Sequence, residues 1–166
     1  MFEWVYFASP ESVMDRVPVY GARIQLGKSL ARLLKKKIKA TKIEADLVVP
    51  VPETSRIAAI ALAEELGIPY REVLIKNRYI GRTFIEPTQD LRERGVALKF
   101  NALSENLVGK RVVMIDDSLV RGTTAGPLVK MIRDAGATEV HLLITCPPIT
   151  HACHFGVDMG HDDDLM

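Results

Sequence analysis

The chain has 166 residues, with 48% hydrophobic and 26% charged side chains and a formal net charge of +1. That balance suits one globular domain with its own core, and it gives no electrostatic reason to expect nucleic acid or a membrane surface as a partner. No apolar run approaches the ~20 residues of a membrane helix, MFEWVYF carries no signal-like leader, and two cysteines make no disulfide framework, so a reducing cytoplasmic setting is expected.

Along the chain, Gly21–Lys39 places Ile24, Leu26, Leu30, Leu33, Leu34 and Ile38 on a helical stripe. Lys35, Lys36, Lys37, Lys39 and Lys42 read as the solvated end of that helix, where cations also suit the dipole. Ala45–Val51, ADLVVPV, is a short continuous apolar run, as in a strand covered on both faces. Ser55–Leu66 reads as a helix stopped by Gly67, with Pro69 beyond, and Arg71–Ile75 as a second strand. Lys76–Lys99 is long, polar and aperiodic, with Gly81, Pro87 and Gly95; a loop of that length in a compact domain is functional or disordered. Lys110–Ile115 is the third strand, Thr124–Ala135 the next helix, closed by Gly136, and Glu139–Thr145 the fourth strand, ended by Pro147 and Pro148. The alternation predicts an α/β fold with a parallel sheet flanked by helices, and one domain over 1–166.

Ligands of such sheets bind beyond the carboxyl ends of the strands, and two loops fall there. In RVVMIDDSLVRGTT, Arg111–Thr124, an apolar run ends in Asp116 and Asp117, and a hydroxyl- and glycine-rich turn leads into a helix. Carboxylates accept hydrogen bonds from sugar hydroxyls and can face Mg²⁺ directly or through water. The turn offers backbone N–H groups at a helix N-terminus, where the dipole favours an anion. The stretch therefore reads as a ribose 5-phosphate cradle. Helix capping is the alternative role for two such acids. In the other loop, Thr54 or Ser55 could cap the helix that follows, and an N-terminal turn that caps a helix can also bind an anion.

The hydrophobic run, paired acids and Gly-Thr-Thr resemble the phosphoribosyl pyrophosphate (PRPP) motif of type I phosphoribosyltransferases. PVPETSRIAA (Pro50–Ala59), IKNRYIGRTFI (Ile75–Ile85) and PPITHACHFGVDMG (Pro147–Gly160) resemble the amidophosphoribosyltransferase branch. FEWVYFASPES (Phe2–Ser12) matches that branch's domain junction, and the resemblance runs to about Gly160. It implies a type I phosphoribosyltransferase fold, the transferase domain alone, with the glutaminase domain absent and the hood incomplete. The implied reaction, in de novo purine synthesis, is attack of ammonia on PRPP to give 5-phosphoribosylamine and pyrophosphate. Ser118, Val120, Arg121, Gly122, Thr123 and Thr124 would form the 5-phosphate cradle, with Asp116 and Asp117 on the ribose hydroxyls and near Mg²⁺. Glu53, Thr54 and Ser55 would surround the pyrophosphate, chiefly through backbone N–H groups. Lys76, Arg82 and Lys99 carry over as catalytic cations that stabilise the leaving group as its charge develops. A closing loop would bring Lys76 and Arg82 in and exclude water from the oxocarbenium-like sugar.

Without the glutaminase domain, activity is expected to depend on ammonia, supplied freely or by a separate glutaminase subunit. A homo-oligomer is expected, and no nucleic acid or membrane. A truncated gene, a split subunit and an excised domain all fit the sequence. Cys153 aligns with an iron–sulfur ligand in one branch, but a cluster needs four cysteines. His151, Cys153, His154, His161 and Asp162–Asp164 match no standard metal spacing and read as a solvated tail. The other function class is a non-catalytic module that binds PRPP or a nucleotide. The Lys76, Arg82 and Lys99 set favours the enzyme.

Overall fold

A computed structural model describes residues 1–41, 44–77, 79, 98–120, 122, 124–149 and 151. The chain opens with a helical turn, Glu3–Phe7, and a hairpin of two-residue strands, β1 (Val13–Met14) and β2 (Val17–Pro18), whose turn places Asp15 and Arg16 at positive φ. Helix α1 follows (Val19–Thr41), then β3 (Leu47–Pro50), α2 (Arg56–Leu66), β4 (Leu74–Lys76), β5 (Phe100–Ala102), β6 (Arg111–Asp116), α3 (Ala125–Asp134) and β7 (Glu139–Ile144). The predicted α/β architecture is the observed one.

The sheet is parallel, in the order β3-β6-β7, with Leu47 opposite Val112 and Arg111 opposite Glu139. Successive residues of a strand face opposite sides, so a continuous apolar run fills two cores. Leu47, Val49, Val112 and Met114 pack with Leu128 and Ile132 of α3. Val48, Val113 and Ile115 pack instead with Ala31 and Leu34 of α1 and Ala59 and Leu62 of α2. Among the described residues, no helix is long and apolar enough to cross a membrane.

Helix α1 departs from its predicted stripe. Its buried line is Val19, Arg23, Gly27, Ala31 and Leu34, while Leu33 is 59% exposed. The reason is close packing on α2. A Cβ at Gly27 would stand 2.2 Å from the carbonyl oxygen of Ala58, so the two backbones touch where glycine leaves room. Lys35, in the basic cluster, pairs with Glu65 of α2 at 3.3 Å.

The predicted strand Arg71–Ile75 is also corrected. After α2 the chain runs beside β3 only at Tyr70, a single parallel bridge to Val48. Exposed Arg71 and Glu72 then carry it off the sheet. Val73 and Leu74 turn back into the α3-side core, and β4 pairs antiparallel with β5, Lys76 standing opposite Phe100. Thus both ends of the long predicted loop belong to one ladder, and the loop's interior, 80–97, lies outside the described residues.

Candidate phosphoribosyl site

Parallel register sets the ends of β3 and β6 side by side, Pro50 opposite Ile115, and the Val51 N–H donates to the Ile115 carbonyl at 2.8 Å. The two loops of interest therefore leave the same sheet edge as neighbours. The peptide bond between Pro52 and Glu53 is cis.

Side chains then join the loops. The Thr54 hydroxyl donates to Oδ2 of Asp117, and the Ser118 hydroxyl donates to Asp117 Oδ1 at 2.7 Å. The Ser55 hydroxyl, 1% exposed, donates to the Val51 carbonyl. Neither Thr54 nor Ser55 caps α2 by its side chain, and the capping alternative fails for this loop. It fails for the acids too: Thr124 occupies the N-cap position of α3, without a side-chain cap bond, while Asp116 Oδ1 accepts the Asp117 N–H at 2.8 Å. From β7, the backbone N–H groups of Thr145 and Cys146 donate to the carbonyls of Asp116 (3.1 Å) and Asp117 (2.8 Å). The acids' main chain is thus pinned from one side and the Asp117 side chain from the other.

Two carboxyl groups in this partly buried corner resist ionisation. Burial, then the neighbouring Asp117 charge, pushes Asp116 above the usual carboxylate range, against the pull of the Asp117 N–H. Burial also raises Asp117, opposed by the hydroxyls of Thr54 and Ser118 and by the charge of Arg23. Arg23 is a residue that sequence reasoning missed. It is 3% exposed, and its Nε and Nη2 donate to the carbonyls of Trp4 (3.0 Å) and Ala8 (2.8 Å). Its position in the α1 stripe, four residues before Gly27, was the available signal, because a charge facing a helix's buried side needs partners.

Gly122 has φ 69°, the left-handed conformation that glycine adopts without strain, just before α3 begins. Ser118, Val120, Gly122 and Thr124 are half-buried around that turn, whereas Arg121 and Thr123 lie outside the described residues. Glu53 is exposed. Of the three predicted cations, Lys76 is in β4 and Lys99 immediately precedes β5, where its carbonyl accepts the Asn77 N–H at 2.7 Å. Those two are brought together at the base of the loop; Arg82 lies outside the described residues, as do Cys153, His154 and His161–Asp164.

No cluster of three or more His, Cys, Asp or Glu side chains able to hold a metal exists among the described residues. Mg²⁺ commonly takes only one or two carboxylates and shares the substrate's phosphates. Asp116 fits that role, since its Oδ2 has no hydrogen bond among the described residues.

The amidophosphoribosyltransferase of Archaeoglobus fulgidus is 52% identical over 166 residues, 100% of this chain and 35% of that protein. The Bacillus subtilis amidophosphoribosyltransferase is 51% identical over 164 residues, 33% of its length. A solved structure of the glutamine PRPP amidotransferase from B. subtilis, complexed with ADP and GMP, superposes with a TM-score of 0.80 at 50% identity, covering 99% of this chain and 35% of that one. The chain thus spans about a third of the length of these relatives. The family model described as phosphoribosyl transferase domain matches residues 22–154, and the chain belongs to that family.

Proposed function

We propose that this chain transfers the 5-phosphoribosyl group of PRPP to ammonia, giving 5-phosphoribosylamine and pyrophosphate in de novo purine synthesis. The observation that carries this reading is the joining of two anion-suited loops at one sheet edge, with a pair of acids between them. The turn from Ser118 to Thr124 takes the 5-phosphate at the N-terminus of α3, where backbone N–H groups and the helix dipole favour an anion. The acid pair Asp116–Asp117 supplies the ribose end of the site, and the loop Pro52–Ser55 takes the pyrophosphate through its backbone. Similarity over the whole chain to amidophosphoribosyltransferases supports the choice of ammonia as nucleophile.

Breaking the C1–O bond builds negative charge on the departing pyrophosphate. Lys76, Lys99 and Arg82 are the cations assigned to it, and charge complementary to the transition state lowers the barrier. Asp116 would help to hold Mg²⁺, which would supply further neutralisation of that leaving group. Ammonia is already a nucleophile, so the site needs no strong general base. The protein acts in the cytoplasm as a homo-oligomer, with ammonia arriving freely or from a glutaminase.

Ligand-linked stability and turnover test the reading together. A ligand specific for the folded state stabilises it by about 2.7 kcal/mol at a hundredfold excess over its Kd, roughly 5–10 °C in Tm for a domain of this size. PRPP with Mg²⁺ gives such a shift, ribose 5-phosphate a smaller one and free ribose almost none. Pyrophosphate is released from PRPP on addition of ammonium. A folded sample whose melting curve ignores saturating PRPP with Mg²⁺ refutes the assignment.

A further inference from the structure

The two acids of the site differ in what holds them. Asp117 is 7% exposed, and each of its carboxylate oxygens accepts a hydroxyl: Thr54 on Oδ2, Ser118 on Oδ1 at 2.7 Å. Asp116 is half-buried and accepts one bond, from the Asp117 N–H to Oδ1, leaving Oδ2 with none among the described residues. We propose that Asp117 is a positioning residue, which latches the Pro52–Ser55 loop to the Asp117–Thr124 loop through Thr54, and that Asp116 is the acid that meets the ribose.

Proton count supports this division. A threonine hydroxyl has one proton to donate. While Thr54 gives it to Asp117, it has none for a pyrophosphate oxygen, and only the Thr54 backbone N–H remains for the ligand. The Ser55 hydroxyl is likewise committed, to Val51. The loop is therefore shaped by its own hydroxyls before any ligand arrives, and a preshaped loop loses less freedom on binding. Around the latch, Asp116 and Cys146 both feel the charge of Asp117, and Arg23 is the cation that attracts it. Arg23 is itself fixed by the carbonyls of Trp4 and Ala8. The charge of Arg23 favours the ionised form of Asp117, the form in which both carboxylate oxygens accept.

The proposal rests on the phosphoribosyl reading only for its ligand arm; the latch is testable without ligand. The experiment measures Tm for Thr54→Val in three backgrounds: wild type, Asp116→Asn and Asp117→Asn. Removing a hydroxyl donor from a buried carboxylate lowers Tm by roughly 3–8 °C. The expected result is that full loss in wild type, most of it in Asp116→Asn, which touches Asp117 and makes no bond to Thr54, and less than half of it in Asp117→Asn, since directly contacting residues couple most. Thr54→Ser, which keeps the donor, restores most of the loss. Equal losses in all three backgrounds overturn the latch. Calorimetry with ribose 5-phosphate and with Mg²⁺–pyrophosphate then reads the division of roles. Asp116→Asn weakens ribose 5-phosphate about tenfold, Asp117→Asn much less, and Thr54→Val weakens pyrophosphate while sparing ribose 5-phosphate. The reverse order for the two acids, or equal weakening of both ligands by Thr54→Val, overturns it. Wild type that binds neither ligand refutes the phosphoribosyl assignment instead, and the Tm series still decides the latch.

Discussion

Replacing Gly27 by alanine tests how closely α1 and α2 are packed. The added Cβ would lie 2.2 Å from the Ala58 oxygen, 2.9 Å from its carbonyl carbon and 3.0 Å from its Cα. These are backbone atoms in the middle of α2, so no side chain can swing aside. Carbon contacts are comfortable near 3.5 Å, so the helices must separate by roughly 1 Å, which forfeits a quarter to a half of each contact's attraction along the seam. Overpacking of this kind costs about 1–3 kcal/mol, against which alanine's better helix propensity returns about 0.5–1 kcal/mol. The net cost centres on about 1.3 kcal/mol; for a domain of this size each kcal/mol moves Tm by about 2–4 °C, and a loss of about 3–5 °C follows. Gly21, in the same helix, is the control, because a Cβ there meets nothing within 4 Å. Gly21→Ala is expected to raise Tm by about 1–4 °C. Both variants are measured by calorimetry, with urea unfolding for the free energy. Changes of the same sign in the two would refute the close-packing argument.

Asp116→Asn removes one of two carboxyls whose pKa values are raised. Such a group stabilises fully below the unfolded-state pKa of about 4 and loses that contribution as pH rises, so the variant should match wild type in acid and exceed it at neutral pH in Tm scans. Asp46 behaves in the opposite way. Bonds from Arg111 hold it well below the usual range, so Asp46→Asn should lower stability at neutral pH, with the difference vanishing on acidification. Lys76→Ala should reduce pyrophosphate release by tenfold or more while leaving ribose 5-phosphate affinity, measured by calorimetry, within about threefold; equal losses would place Lys76 in the ground-state pocket. Turnover with ammonium salts should rise with pH as free ammonia increases, and a flat profile would exclude ammonia as the nucleophile.

Much of this fold was legible because its parallel strands are buried on both faces. LVVP and RVVMID read as unbroken apolar runs, and Gly67 and Gly136 mark the ends of the helices beside them. The strands β1, β2 and β5 were not anticipated, since two or three residues hold too little of a period-2 pattern to stand out. The stripe of α1 was misread because hydrophobicity was weighed and size was not: the seam with α2 selects Gly27 and Ala31, leaving Leu33 outside. In the proposed site, the acids and the glycine turn are local in sequence and so could be named. The Thr54–Asp117 bond spans 63 positions, and the burial of Arg23 depends on carbonyls from another segment. The first leaves no mark in a single stretch of chain, and the second shows only in the helical spacing of Val19, Arg23, Gly27 and Ala31.

The β4–β5 ladder sets Lys76 across from Phe100, beside Lys99. Spatial separation of the two lysines is therefore independent of how many residues connect them. In general, doubling the length of a connection adds only about 0.6 kcal/mol to the cost of closing it. Insertions and deletions between the strands should thus leave both cations where they stand, and natural variation in length would be concentrated there. An engineer could lengthen that connection, or splice a reporter peptide into it, and still find the two ammonium groups at the same address.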